Sequence, residues 1–423
     1  MSSAQSLASR AEPERAAWSA IAAIALGVAG LIIAEFLPAG MLTPMAHDLR
    51  ITTGVAGQAV TATSLLAVLT SVLLAFVTRK LNRRHVLLGL SALLVVSNFV
   101  VAYASTFSVL LIGRVLLGIA LGGFWSMASA TATRLVPAAS LPRAIAIIFG
   151  GSSFASVFAA PLSSFLGNVI GWRHVFLLSG GLSLVALVVQ ALTIPSLKPI
   201  GATKFSTLFT VLKKPQFSSG MLAVAWVFCG HFAAFTYIRP FLEHTTAVGS
   251  NALSAILLTF GVANFIGTSF GGAMIAKSLR GALILLPLLL SAVGVGLLAF
   301  GASCSGTTAL IFLWGALMGP VPVVWSAWVA RQVPEHAETA GGAFIAAIQL
   351  SAAVGALLGG SVFDSSGSTG VFTLSALSWL VSALLVVGFI KALGAGVVQG
   401  FAPCPAPGPG KADEAIPTRI AYR

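Results

Sequence analysis

Apolar residues run along this chain in blocks of about 20 or more, with polar residues gathered between the blocks and few inside them. A helix rises about 1.5 Å per residue, so about 20 apolar residues cross a hydrocarbon core. Read with that length, the pattern predicts twelve spans. They lie near 18–43, 54–78, 85–104, 107–133, 142–168, 172–194, 216–242, 250–276, 281–301, 306–331, 339–363 and 369–391. Only "RLVPAASLPR" separates the fourth from the fifth.

The longest internal polar connection, "PSLKPIGATKFSTLFTVLKKP" at 195–215, divides six spans from six. An even split suggests two related halves. "VFLLS" at 175–179 resembles "VFTLS" at 371–375, an offset of 196 residues. The same offset lays Thr43-Pro44 on Arg239-Pro240 and Glu35-Phe36 on His231-Phe232. The fold class expected is all-α, a polytopic membrane protein with twelve transmembrane helices in two pseudo-symmetric six-helix halves. Its parts are a tail at 1–17, a first half at 18–194, a linker at 195–215, a second half at 216–391 and a Pro/Gly-rich, disordered tail at 392–423.

Composition agrees with the pattern. Hydrophobic residues make up 57% of the chain and charged residues 8%, against about 25% charged in soluble domains. The solvent for this surface is lipid. The net charge of +13 invites a nucleic-acid reading, but the basic residues fall in short clusters between apolar blocks. That placement fits topology and anionic lipid. With the N-terminus inside, 19 of the 23 basic residues fall on the cytoplasmic side, so both termini are expected in the cytoplasm. The first block, about 26 residues from Trp18, lacks an A-x-A cleavage site and reads as a retained span. Cys229, Cys304 and Cys404 are far apart and suggest neither a disulfide framework nor a metal site.

Ionisable residues inside the spans are few. A carboxylate at the bilayer centre costs about 2.5–3.5 kcal/mol on insertion scales, yet Glu35 sits in the first span. It is either a structural carboxylate locked to Arg114 or a helix end, or a proton carrier. A carboxyl held between desolvation and a nearby cation can load and release a proton. Arg114, in the fourth span, is a brace for helix ends or a counter-ion to Glu35. Gly118 and Gly122 follow it on the same face, at a spacing that lets helices approach closely. His231, Phe235 and Arg239 make an i, i+4, i+8 stripe on the seventh span. Symmetry would set His231 across a cavity from Glu35, where it could share the proton or bind substrate; otherwise it is a packing group.

Aromatic rings within the spans, among them Trp125, Phe235, Tyr237 and Trp325, could stack a planar base. Gln58, Thr61, Asn264 and Gln349 supply amide and hydroxyl groups suited to a neutral solute. No Walker loop, H-E-x-x-H or G-x-S-x-G elbow is present. The chain therefore reads as no enzyme, with no cofactor and a proton gradient as energy source.

Twelve spans in two halves, with "RVLLGIALGG" in the fourth, resemble the major facilitator superfamily. Two motifs depart from the family pattern. In "FVTRKLNRRHVLL", Arg79 stands at the usual Asp and Asn82 at the second Gly, so the gating role of that Asp does not carry over. In "SVFAAPLSSFLG", Pro161 is kept while Ala160 and Ser164 stand where Gly is usual. "IIAEFLPAGMLTPMAHDLRITTGVAGQAVTAT", "LLIGRVLLGIALGGFWSM", "IGWRHVF", "FTYIRP" and "FGVANFIGTS" are similar to the bacterial purine ribonucleoside efflux pumps of the drug:proton antiporter branch. The resemblance spans all but the two tails. It implies a monomer of the bacterial inner membrane that exports inosine, guanosine and some purine-base analogues in exchange for protons. Glu35, Arg114 and His231, the buried ionisable residues, are the candidates for proton coupling, and no nucleic-acid partner is expected. The rival readings are an exporter of drugs, sugars or amino acids on the same scaffold and, more remotely, a non-transporting membrane sensor or a lipid-modifying enzyme.

Overall fold

A computed structural model describes residues 17–78, 80–137, 140–197, 213–333 and 337–393. The linker expected at 195–215 lies largely outside these residues, and the two tails, with Arg79, lie outside them altogether.

The first six helices match the apolar blocks one to one. They are α1 (Trp18–Asp48), α2 (Thr53–Val77), α3 (Arg83–Ala102), α4 (Phe107–Leu135), α5 (Leu141–Ile170) and α6 (Trp172–Thr193). Three start where a polar residue can take up an unpaired helix amide. The side chains of Thr52, Asn82 and Thr106 accept from Val55, Arg84 and Val109.

The second half is cut differently. It holds α7 (Pro215–Thr236), α8 (Ile238–His244), α9 (Ser250–Phe300), α10 (Cys304–Met318), α11 (Pro320–Gln332) and α12 (Ala337–Leu393). At 51 and 57 residues, α9 and α12 would each be longer than about 75 Å if straight, more than twice the hydrocarbon core. Each is two crossings. Ser278 in α9 is extended, and Gly367 in α12 takes a φ of 64°, open to glycine without a Cβ clash.

Two predicted spans are broken instead. The seventh divides at Tyr237 and the tenth at Gly319. Both breaks precede a proline. Pro240 has no N–H for the Thr236 carbonyl, and Pro320 has none for Ala316. The single stripe expected for His231, Phe235 and Arg239 therefore does not exist. Arg239 belongs to the short α8, beyond the break. Joining α7 to α8 and α10 to α11, and dividing α9 and α12, gives twelve crossings.

Large apolar side chains face outward along these helices. Leu192 is 81% exposed and Phe154 66%, which only a lipid solvent tolerates. Inside, Ile24, Leu31, Leu90, Leu121 and Phe124 anchor one buried cluster of the first half. A larger cluster, around Phe241, Trp314, Phe372 and Trp379, fills the second. Within the first half, α4 lies close against α2. A Cβ on Gly118 would meet the Thr63 carbonyl, and one on Gly122 the Ala67 carbonyl. Backbone cannot yield as a flexible side chain can. Gly122→Val is expected to destabilise the fold by about 1–3 kcal/mol through overpacking. A lower unfolding temperature in detergent would show it; an unchanged one would contradict this close approach.

The turns α1–α2, α3–α4 and α5–α6 share one end of the bundle, here termed distal. The hydrogen bonds that join the halves lie at this end or midway. Thr52 and Gly54 bond Asp364, and Tyr237 bonds Gly54. Arg239 bonds Gly40 and Asn168, Ser254 bonds Ser164, and Thr61 bonds the Ala353 carbonyl.

Candidate functional site

The centre of the molecule is built on α1. Pro38 lies inside this helix and leaves the Ala34 carbonyl without its usual donor. Arg114 on α4 fills that gap: Nη1 donates to the Ala34 carbonyl at 2.8 Å. Its Nη2 donates to the Glu35 backbone carbonyl at 3.3 Å and its Nε to the Ala59 carbonyl of α2 at 3.1 Å. A planar guanidinium can serve three acceptors in one plane where an ammonium cannot. Arg114 thus ties α4 to both α1 and α2.

The carboxylate–guanidinium pair expected between Glu35 and Arg114 is not formed in this state. The guanidinium is occupied by carbonyls, although its charge still acts on the carboxyl through space. The Glu35 side chain is buried and turns to the other half. There Gln349 on α12 donates through Nε2 to Oε1 at 3.4 Å. Among the described residues Glu35 is the one buried carboxylate. A single long hydrogen bond is weak compensation for a desolvated charge.

His231 does not face Glu35. Its ring stacks on Phe235 at 5.5 Å and on Phe260 at 6.2 Å, edge-on to Trp314 at 5.6 Å and to Phe232 at 5.2 Å. The halves meet through the next ring instead: Phe36, beside Glu35, lies edge-on to Phe235 at 5.6 Å. Among the described residues neither His231 Nδ1 nor Trp314 Nε1 has a hydrogen-bond partner. Repeat symmetry placed His231 opposite Glu35; packing inside the second half turned it into an aromatic box. Phe36, Phe260 and Trp314 are members of this centre that the sequence reading did not select, although all are aromatics within spans.

The other candidates scatter. Gln58 and Asn264 are half-buried, and among the described residues their amides make no side-chain hydrogen bond. Thr61 is used at the seam, donating to the Ala353 carbonyl at 3.2 Å. Trp125 packs on Phe149 at 5.3 Å, between α4 and α5. Trp325 lies edge-on to Trp328 at 5.4 Å within the second half. Tyr237 is fully buried at the distal seam, where its hydroxyl lies 3.2 Å from the Gly54 carbonyl and 3.1 Å from that of Ala356. With ring and hydroxyl both engaged, Tyr237 is a contact between the halves. Of the residues selected from sequence, Glu35, Gln349, Phe235 and His231 share one neighbourhood.

The geometry offers one desolvated acid, a neutral amide across the seam and a wall of rings. It can hold a proton and contact a flat, hydrogen-bonding solute. Among the described residues no group of three His, Cys, Asp or Glu side chains could hold a metal ion.

Comparison with known proteins adds to this. The family model described as Major Facilitator Superfamily matches residues 23–300. The chain is 40% identical over 374 residues to the purine ribonucleoside efflux pump NepI of Salmonella typhimurium, covering 88% of this chain and 94% of that protein. It is 41% identical to NepI of Escherichia coli K12 over the same shares. It is 43% identical over 380 residues to a protein of Pseudomonas aeruginosa named transcription regulatory protein OpdE, covering 89% and 94%.

Proposed function

Because this chain belongs to the Major Facilitator Superfamily, and is a multi-pass membrane transporter and not an enzyme, we propose that it exports purine ribonucleosides, inosine and guanosine among them, in exchange for protons. The proton part rests on Glu35, a buried carboxylate at the meeting of the halves. The substrate part rests on similarity to proteins named as purine ribonucleoside efflux pumps. The rings around Phe36 and Phe235 and the amide of Gln349 are compatible with a purine. The excess of basic residues on the proximal side supports cytoplasmic termini and a periplasmic distal end. The structure then corresponds to a state closed toward the periplasm. The protein works in the bacterial inner membrane as a monomer.

The geometry supports the following cycle. Substrate reaches the centre from the cytoplasm. The halves rock, the distal contacts part, and the substrate leaves. A periplasmic proton then neutralises Glu35, which lowers the desolvation cost of returning to the closed state. The proton is released when the carboxyl is again exposed to the cytoplasm. Each transition needs a differential interaction between two states. The charge on Glu35, with Arg114 beside it, supplies that difference.

Labelled inosine uptake into inside-out vesicles with an acid lumen tests this. Accumulation that a protonophore abolishes and guanosine competes away is the expected result. Folded protein that moves neither nucleoside would overturn the substrate, and the same vesicles would then be tested with drugs, sugars and amino acids. A second reading comes from the relative named as a transcription regulatory protein. A membrane chain with short connections can influence transcription by changing the internal level of an effector. If no solute moves, a sensor replaces the transporter reading.

A further inference from the structure

The distal seam contains an arrangement that packing alone does not require. Gly54, in the first turn of α2, is gripped by both its backbone groups, and both grips come from the other half. Its amide donates to Asp364 Oδ1 at 3.0 Å. Its carbonyl accepts from the Tyr237 hydroxyl at 3.2 Å. Thr52, the N-cap of α2, donates to Asp364 Oδ2 at 2.7 Å while its own oxygen accepts from Val55. A Cβ at Gly54 would collide with the Asp364 carboxyl and the Gly360 carbonyl, so the fit admits glycine alone.

Helix N-termini carry unpaired amides and the positive end of the helix dipole. A carboxylate there makes charge-assisted hydrogen bonds, stronger than neutral ones. In most helices the cap comes from the neighbouring chain. Here half of it comes from a residue more than 300 positions away. If the halves part at this end, α2 loses that cap to water. The opposite seam is built on a cation instead, Arg239, whose Nε donates to Glu243 Oε1 at 2.7 Å. There Arg239 bonds the Gly40 carbonyl, which Pro44 leaves without its helical donor, and the Asn168 amide oxygen at 3.2 Å. Asn168 stands 196 residues before Asp364, the offset at which the chain repeats. The equivalent helix, α9, has no side-chain cap at its N-terminus. One seam is thus braced by an arginine on a free carbonyl and the other by a carboxylate on a helix end.

We propose that Asp364 and Tyr237, closing on Gly54, form the latch that holds the distal side shut and sets the balance between the two access states. Both are positioning residues that act on the halves and touch no substrate. This rests on the alternating-access reading above, but it does not depend on which solute is carried. The loss of one charge-assisted hydrogen bond shifts a two-state balance by roughly tenfold to a hundredfold. Asp364→Asn keeps the shape and removes the charge. Tyr237→Phe keeps the ring, stacked on Phe363 at 5.3 Å, and removes the hydroxyl.

The test uses the full chain with Cys229, Cys304 and Cys404 replaced, and spin labels attached to Ser105→Cys and Ser305→Cys. Both serines are exposed on distal turns, one in each half. Pulsed electron–electron resonance then reads the distance across the distal face. The unsubstituted background should show mainly the short distance, and each latch variant a tenfold or greater gain of the longer one. Ser365→Ala, one residue from Asp364 and bonded only within its helix turn, should leave the distribution unchanged. Two latch variants that are monodisperse and retain the background distribution would overturn the proposal. A shift in Asp364→Asn without one in Tyr237→Phe would overturn the two-sided grip. Failure of inosine transport would leave these distances untouched, so the two readings fail separately.

Discussion

Glu35→Gln is expected to reduce proton-driven inosine uptake to the level of empty vesicles while leaving a folded protein. The amide has the shape of the carboxylic acid and can still face Gln349, so packing changes little. What changes is the charge. An ionised carboxylate buried among apolar groups costs a few kcal/mol, and a neutral amide costs less. The unfolding temperature should therefore stay level or rise. A variant frozen in the neutral form can rock between states with substrate bound, but it has no proton to exchange. Exchange of labelled for unlabelled inosine should persist where uphill accumulation is lost. That split separates a coupling residue from one that binds substrate, which would lose both. If Glu35→Gln accumulates inosine against its gradient like the unsubstituted protein, the carboxylate is structural and the coupling group lies elsewhere.

Arg114→Met is expected to have the largest effect on stability. The side chain is 1% exposed and its three donors serve three backbone carbonyls of two helices. Hydrogen bonds to a charged group are worth about 1.5–3 kcal/mol each, so losing three should cost at least about 4 kcal/mol in total. Whole domains are stable by only about 5–15 kcal/mol. The variant should accumulate poorly in the membrane and melt well below the unsubstituted protein. Arg114→Lys should recover part of the loss, since an ammonium reaches fewer of the three acceptors. The carbonyl left open by Pro38 gives a sharper check. In a Pro38→Ala background the restored amide can bond the Ala34 carbonyl, so removing Arg114 should cost less. Equal costs in both backgrounds would show that Arg114 does not act by serving that carbonyl.

These two residues also show how far the site could be read. A lone acid and a lone arginine in apolar spans stand out in any sequence, because burial of charge is costly wherever the partner lies. Their pairing was the natural expectation. It failed because Pro38, three residues further along α1, leaves the Ala34 carbonyl open, and the guanidinium takes that carbonyl and its neighbour in preference to a side chain that points the other way. His231 was found for the same reason as Glu35 and misplaced for a different one. The repeat relates positions along the chain, but Phe260 and Trp314, from helices with no counterpart ring in the first half's centre, draw the imidazole into their own packing. Tyr237 looked like a ring for stacking and proved to be part of the seam. Nothing near Asp364 in the sequence says that it caps a helix of the other half.

The chain's pattern alone determined the twelve crossings, the six-and-six division of its apolar blocks and the lipid environment. Those follow from the length of a span and the cost of charge in hydrocarbon, both local properties of a segment. Even the breaks at Tyr237 and Gly319 were written locally, in the prolines that follow them. The tertiary structure decided which groups meet: Glu35 with Gln349, Arg114 and Arg239 with the carbonyls that Pro38 and Pro44 expose, Asp364 and Tyr237 with Gly54. Such contacts join residues tens to hundreds of positions apart, and their partners are backbone groups that every residue carries. No side-chain pattern marks a carbonyl as free or a helix end as uncapped until the helices are packed.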